Sequence, residues 1–186
     1  LPSRREGEYG LLHRLDTGTS GVLLFAKTPQ AFTAFIENWK TIQKHYRAWV
    51  TLAELPAVID FPLAHDTKSA KRMLAVTPET HKNRIRGRVL QSRTEILKTH
   101  ERRQATQDIE VVIHEGRMHQ IRCHLAAVGA PLLGDTVYRG ETASRLWLHA
   151  ASVGFSASLQ ALLPGLPDQI SVPLPGGWSL AGGGQN

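Results

Sequence analysis

The chain has 186 residues, 41% of them hydrophobic and 20% charged, which excludes wholesale disorder and fits one domain with a core of its own. A single cysteine, Cys123, excludes an intrachain disulfide and a cysteine-rich metal site, and the longest apolar run, residues 22–26, is far too short for a membrane-spanning helix. With 22 Lys+Arg against 16 Asp+Glu the formal net charge is +6, which favours an anionic partner.

Residues 1–9 are polar and charged and do not read as a signal peptide, so a soluble, cytoplasmic chain is expected. Residues 10–21 read as a loop, and residues 22–26 follow Gly21 as a short buried strand. Thr28 and Pro29 make a helix start, with Thr28 as N-cap and Pro29 at the first helical position. Phe32, Phe35, Ile36 and Trp39 then recur at helical spacing, a stripe that reads as core packing rather than as a platform for stacked bases. Residues 46–52 alternate as a strand, with Tyr46, Ala48, Val50 and Leu52 on one face and Arg47, Trp49 and Thr51 on the other. Two prolines mark residues 54–62 as a connection.

Half of the positive charge follows. Between Lys68 and Arg103 lie 11 of the 22 basic residues, opposed only by Glu79, Glu95 and Glu101. Two readings fit: a solvated face, or an arm that tracks phosphates and loses affinity as salt rises. Residues 88–97 and 107–114 are strand candidates, paired as a hairpin through a basic turn at 98–106. In the second, Ile109, Val111 and Ile113 alternate with Asp108, Glu110 and Val112. Glu115-Gly116 breaks that strand. Residues 118–128 then read as a helix closed by Gly129, with Met118, Ile121, Leu125 and Val128 at a 3.6-residue period. Residues 146–155 form a last strand, and the tail around Gly182-Gly183-Gly184 is expected to be mobile. Helices and strands mixed without strict alternation predict an α+β fold, a mixed and largely antiparallel sheet with flanking helices.

Two clusters carry most of the chemistry. His13-Arg14-Leu15-Asp16-Thr17-Gly18-Thr19-Ser20-Gly21 sets an imidazole, a guanidinium and a carboxylate beside residues that allow a tight turn. Such a loop presents Asp16 to a cleft, or its polar side chains satisfy turn hydrogen bonds. Neither a phosphate-binding Gly-Lys-Ser/Thr loop nor a Gly-x-Ser-x-Gly elbow is present. The second cluster is Gly116-Arg117-Met118-His119-Gln120-Ile121-Arg122-Cys123-His124. On a helix His119 and Arg122 share a face, and an arginine held there can pair with a carboxylate across a cleft. The other reading is an ordinary amphipathic helix with solvated polar residues. His119 and His124 are wrongly spaced for two ligands on one helical face, and no zinc motif is present.

Taken together, His13-Arg14-Leu15-Asp16 with Thr19-Ser20-Gly21 resembles the signature of the RluA-type pseudouridine synthases. The second cluster resembles the same family's Gly-Arg-x-His-Gln-Ile/Leu-Arg-x-His motif. Lys44-His45-Tyr46-Arg47-Ala48-Trp49-Val50, Gly134-Asp135-x-x-Tyr138 and Leu146-Trp147-Leu148-His149-Ala150 match further motifs, in the family's order. The resemblance implies an isomerase that turns uridine of rRNA or tRNA into pseudouridine with no metal and no cofactor. It implies a pseudouridine synthase domain over residues 1–178, followed by a mobile tail at 179–186. By the same resemblance Asp16 is the essential carboxylate, Tyr46 packs on the target base, and Arg122 pairs with the aspartate. Arg14 enters the RNA helix where the base has left, lowering the cost of extruding it. His13, Arg117, His119 and Gln120 join the RNA-contacting or pocket-organising residues. Leu148 is an apolar wall or plain core.

The sequence also departs from the family. Gly18 stands where an acidic residue is common. The upstream strand and Lys-Pro-x-Gly segment are not seen, so a piece beginning inside the catalytic domain is expected; no S4-type RNA-binding domain is visible in these residues, which leaves one upstream open. RNA is the expected partner, with no membrane and no small-molecule cofactor, and the chain is expected to be a monomer. The alternative is an RNA-binding or chaperone-like module in which catalysis is absent or dispensable.

Overall fold

A computed structural model of the chain describes residues 10–180. Helix α1 (Pro29–Glu37) begins where sequence places it. Thr28 is extended, its hydroxyl accepts a hydrogen bond from the Ala31 amide at 3.2 Å, and Pro29 lacks an amide where none is needed. The aromatic stripe is core: Phe35 is buried with Leu12, Val22, Ile42 and Val153, and Phe32 and Trp39 pack against them.

Among the described residues the strands are, in chain order, β1 (Ser20–Gly21), β2 (Gln43–Thr51), β3 (Val58–Ile59), β4 (Leu63–Asp66), β5 (Met73–Ala75), β6 (Ile85–Leu90), β7 (Thr94–Arg102), β8 (Thr106–Ile113), β9 (Leu148–Gly154) and β10 (Gln169–Ser171). They form a seven-stranded sheet in the order β1-β9-β2-β8-β7-β3, with β10 also pairing with β9, and a three-stranded sheet in the order β5-β4-β6. Only β1 and β9 run parallel. The other α-helices among the described residues are α2 (Gln120–Ala127) and α3 (Ala157–Leu162). The architecture is α+β with a mixed, largely antiparallel sheet. None of the described helices is long and apolar enough to cross a membrane.

Alternation in β2 decides the layering. Tyr46, Ala48 and Val50 face a core shared with Ile109 and Val111 of β8, Leu148 of β9, and Ile121 and Leu125 of α2. Trp49 points to the opposite face, where it meets Leu133, Trp147 and Trp178 and donates its indole N–H to the Trp178 carbonyl at 2.8 Å. The small sheet packs separately: Leu63, Met73 and Ala75 lie against Cys123 of α2 and Tyr138. One helix face therefore covers the large sheet, and another side of the same helix carries the small one.

Several expectations need correction. Residues 22–26 are not a buried strand. Val22, Leu24 and Ala26 are buried, but Leu23 and Phe25 are 41% and 57% exposed, because the segment runs along a sheet border with one face to solvent. It is tied by single bonds, such as the Leu12 amide to the Leu24 carbonyl at 3.1 Å, rather than by a ladder. Residues 88–97 belong to two strands of different sheets, separated where the Ser92 hydroxyl donates to the Phe61 carbonyl. The hairpin exists, but its turn is shorter than predicted. Lys98 and Arg102 lie in the ladder opposite Glu110 and Gln107, since an exposed strand face accommodates charge. The connection at 54–62 contains β3. Helix α2 starts at Gln120, two residues later than predicted, because His119 adopts a left-handed backbone (φ 52°). At its other end Gly129 (φ 79°) allows the Ala130 amide to reach the Leu125 carbonyl and its own amide to reach Ala126, the expected glycine closure. Of the predicted tail, residues 181–186 lie outside the described residues, whereas Trp178–Leu180 form a 3-10 turn.

Candidate active site

The loop before β1 folds back on itself through the Thr19 amide, which donates to the Asp16 carbonyl at 2.9 Å. Gly18 sits at φ 88°, and a Cβ there would come within 3.2 Å of the Leu146 side chain. The polar residues of this loop are not merely closing a turn. Ser20 Oγ lies 2.8 Å from His149 Nδ1 and accepts a bond from Arg145 at 2.6 Å, so β1 is fastened to the neighbouring strand and its approach. His13 accepts a hydrogen bond from the Leu24 amide at 3.2 Å. The Asp16 side chain is held at a border, 25% exposed.

Arg122 meets it there. Rising from the first turn of α2, its guanidinium donates from Nε and Nη2 to Asp135 at 2.7 and 2.8 Å, and its Nη1 reaches Asp16 Oδ2 at 3.4 Å. The fork to Asp135 fixes the plane of the guanidinium, and the third nitrogen is thereby aimed at Asp16. Asp135 is itself fixed, accepting the amides of Val137 and Tyr138. The hairpin-like loop that carries it needs glycine at 134 and 140: a Cβ at either would stand 1.8 Å from a backbone carbonyl oxygen. Burial opposes the Arg122 charge, but the bond to Asp135 and the charges of Asp135 and Asp16 outweigh it, so its proton is held more firmly than usual.

Tyr46 projects from β2 toward the same carboxylate. Burial, and after it the charge of Asp16, push its phenol well above the ordinary tyrosine range, so it stays protonated. His119 does not share a helical face with Arg122, as its left-handed backbone places it before the helix. It still arrives at the site, with Nδ1 3.3 Å from the Tyr138 hydroxyl. Burial lowers its pKa; the Asp16 charge opposes that shift. Gln120 organises the segment below it: its amide donates to the Arg93 carbonyl and to Glu115, and its oxygen accepts the Arg117 amide at 2.9 Å.

These groups surround a cleft of about 960 Å³. His13, Arg14, Asp16, Tyr46, Arg117, His119 and Arg122 line it, and Gln120 and Leu148 line an adjoining hollow of about 50 Å³. All nine residues singled out from sequence thus converge on one place. Sequence reasoning missed three others. Asp135 is the stronger partner of Arg122; Gly134-Asp135-x-x-Tyr138 was visible as a motif, but nothing in its spacing ties it to Arg122. Tyr138 is buried beside them. Lys44 is buried on the cleft wall, donating to the carbonyls of His114 and Ile42 and lying 4.6 Å from the Trp39 ring centroid. Burial pulls its ammonium from the usual 10.5 down to about 8, against the opposing charge of Glu115.

A family model described as RNA pseudouridylate synthase matches residues 1–127. A protein of Chloroflexus aurantiacus named "Uncharacterized RNA pseudouridine synthase" is 33% identical over 177 residues, covering 89% of this chain and 52% of its own length. The "Dual-specificity RNA pseudouridine synthase RluA" of Vibrio cholerae is 30% identical over 153 residues, covering 78% of this chain and 58% of its own. The chain spans about half the length of such curated relatives. Among solved structures, human RNA pseudouridylate synthase domain containing 1 superposes with a TM-score of 0.66 at 20% identity, covering 90% of this chain and 69% of that one, a likeness of fold.

Proposed function

The chain belongs to the RluA-type RNA pseudouridylate synthase family, and from that membership we propose that it converts a uridine of rRNA or tRNA to pseudouridine, with residues 1–178 as the catalytic domain. The observation that carries the reading is the 3.4 Å approach of Arg122 to Asp16 within a cleft of ligand-binding size. The reaction breaks the N1–C1′ bond of uridine, turns the base and joins C5 to C1′. The C5 proton leaves and N1 gains one. Asp16 is the essential carboxylate, oriented and neutralised by Arg122. Tyr46, protonated and buried, offers a ring against which the base stacks. Arg14, exposed at the mouth, fills the gap left in the RNA stack, which offsets a few kcal/mol of unstacking cost. His13, Arg117 and His119 contact the RNA or the extruded nucleotide, Gln120 holds that wall in place, and Leu148 supplies an apolar floor.

Release of tritium from RNA labelled at uridine C5 reports the reaction directly. Asp16→Asn is expected to reduce release by about a thousandfold or more while the far-ultraviolet spectrum is unchanged. Retained turnover in a folded variant would refute the role of Asp16. Tight RNA binding by the wild-type protein with no release from any cellular RNA would favour the binding-module reading that the basic segment also supports.

A further inference from the structure

The small sheet is more than a satellite of the large one. His65 of β4 and Ala70 and Lys71 of the β4–β5 connection line the cleft, so this sheet supplies one of its walls. Its outer strand β6 is exposed at Arg86 and Arg88, whereas Arg84 is engaged with Asp66 at 2.7 Å. Two arginines are thus offered to an anionic backbone on the element that also walls the cleft.

Tyr138 joins that element to the catalytic pair. Its hydroxyl accepts the Met73 amide at 3.0 Å and donates to the Met73 carbonyl at 3.1 Å, so both polar backbone groups of one β5 residue end on one phenol. The same oxygen lies 3.3 Å from His119 Nδ1. Its ring centroid is 5.4 Å from the guanidinium carbon of Arg72, on the small sheet's side, and 5.4 Å from that of Arg122. Its own amide donates to Asp135 at 3.2 Å, the carboxylate that orients Arg122. A displacement of β5 therefore pulls on the residue that fixes the guanidinium facing Asp16.

We propose that Tyr138 is a positioning residue that transmits RNA engagement by the small basic sheet to the Arg122–Asp16 pair. RNA held by Arg86 and Arg88 sets the position of β5; through the Met73–Tyr138 tether that position sets the orientation of Arg122. The inference rests on the synthase reading above. It differs from a plain packing role in one consequence: damage to the sheet's RNA contacts and damage to the tether act on the same step and do not multiply.

The test uses the full chain and a 5-tritiated-uridine RNA from which the wild-type protein releases tritium, under single turnover with enzyme saturating so that affinity drops out. Tyr138→Phe removes only the hydroxyl. It is expected to slow the saturated rate about tenfold, Arg86→Glu with Arg88→Glu to do the same, and the combination to be no slower than either. Arg72→Met, which removes the sheet-side cation, provides a second probe with the same expected non-additivity if Tyr138→Phe fails to fold. A multiplicative loss of about a hundredfold, or an unaltered rate in Tyr138→Phe, overturns the inference while leaving the synthase reading intact. If a prior screen of cellular RNAs finds none from which the wild-type protein releases tritium, both readings fall.

Discussion

Arg122 makes its two short contacts to Asp135 and its one long contact to Asp16. The asymmetry suits the proposed reaction. An arginine neutralised completely by the reacting carboxylate would have to be pried loose by substrate, whereas one anchored elsewhere presents a fixed charge at no reorganisation cost. Asp135 bears the structural load of that arrangement, with a side chain wholly shielded from solvent. Asp135→Asn removes the charge that compensates a buried guanidinium, so it is expected to cost about 3 kcal/mol in urea unfolding as well as turnover. A loss below about 1 kcal/mol would mean that Arg122 finds another partner. Asp135 shows how far residue-level reading reached. Asp16 and Arg122 stand out by type and motif, but the carboxylate that aims the guanidinium is distinguished only by where its loop folds.

At the scale of elements, local chemistry and tertiary demand part company at the segment linking β8 to α2. Periodicity extends the helix back to Met118, yet Gly116 (φ 69°) and His119 (φ 52°) interrupt it. The wall of the cleft needs a bend there, and Lys44 of β2 clamps it through the His114 carbonyl. Helix α1, whose start depends only on Thr28 and Pro29, follows the sequence closely. The Lys44 clamp carries a cost with a definite pH signature. Its folded pKa is lowered to about 8 from 10.5, so below pH 8 both states hold the proton and the burial penalty, of the order of 3 kcal/mol, is fully present. Between about pH 8 and 10.5 the folded state releases that proton first, and stability rises with pH. Urea unfolding across that window is expected to give a less positive slope for Lys44→Met than for the wild type. Identical slopes would show that Lys44 keeps an ordinary pKa.

Over the whole molecule, the exposed arginines of β6 and the residues proposed for catalysis lie on different parts of the fold, joined at α2. The large sheet and its loops hold Asp16 and Tyr46, α2 holds Arg122, and β6 of the small sheet exposes Arg86 and Arg88. If those arginines contact phosphates, Arg86→Glu with Arg88→Glu weakens RNA binding and flattens the plot of log affinity against log salt by about 1 to 2. An unchanged slope would exclude them as phosphate contacts. The division between what was legible in the chain and what was not follows range of interaction. Caps, strand alternation, the concentration of positive charge and the clustered polar motifs depend on neighbours within a few residues, and the sequence by itself determined them. Lys98 and Arg102 read as turn because charge is a local cue, while their place in a ladder depends on the partner strand. Resemblance anticipates that Arg122 meets Asp16, 106 positions away, but the geometry of that meeting and the fastening of Tyr138 to Met73, 65 apart, were decided only by the tertiary structure. Such contacts are set by sheet order and loop closure, which no stretch of sequence encodes alone.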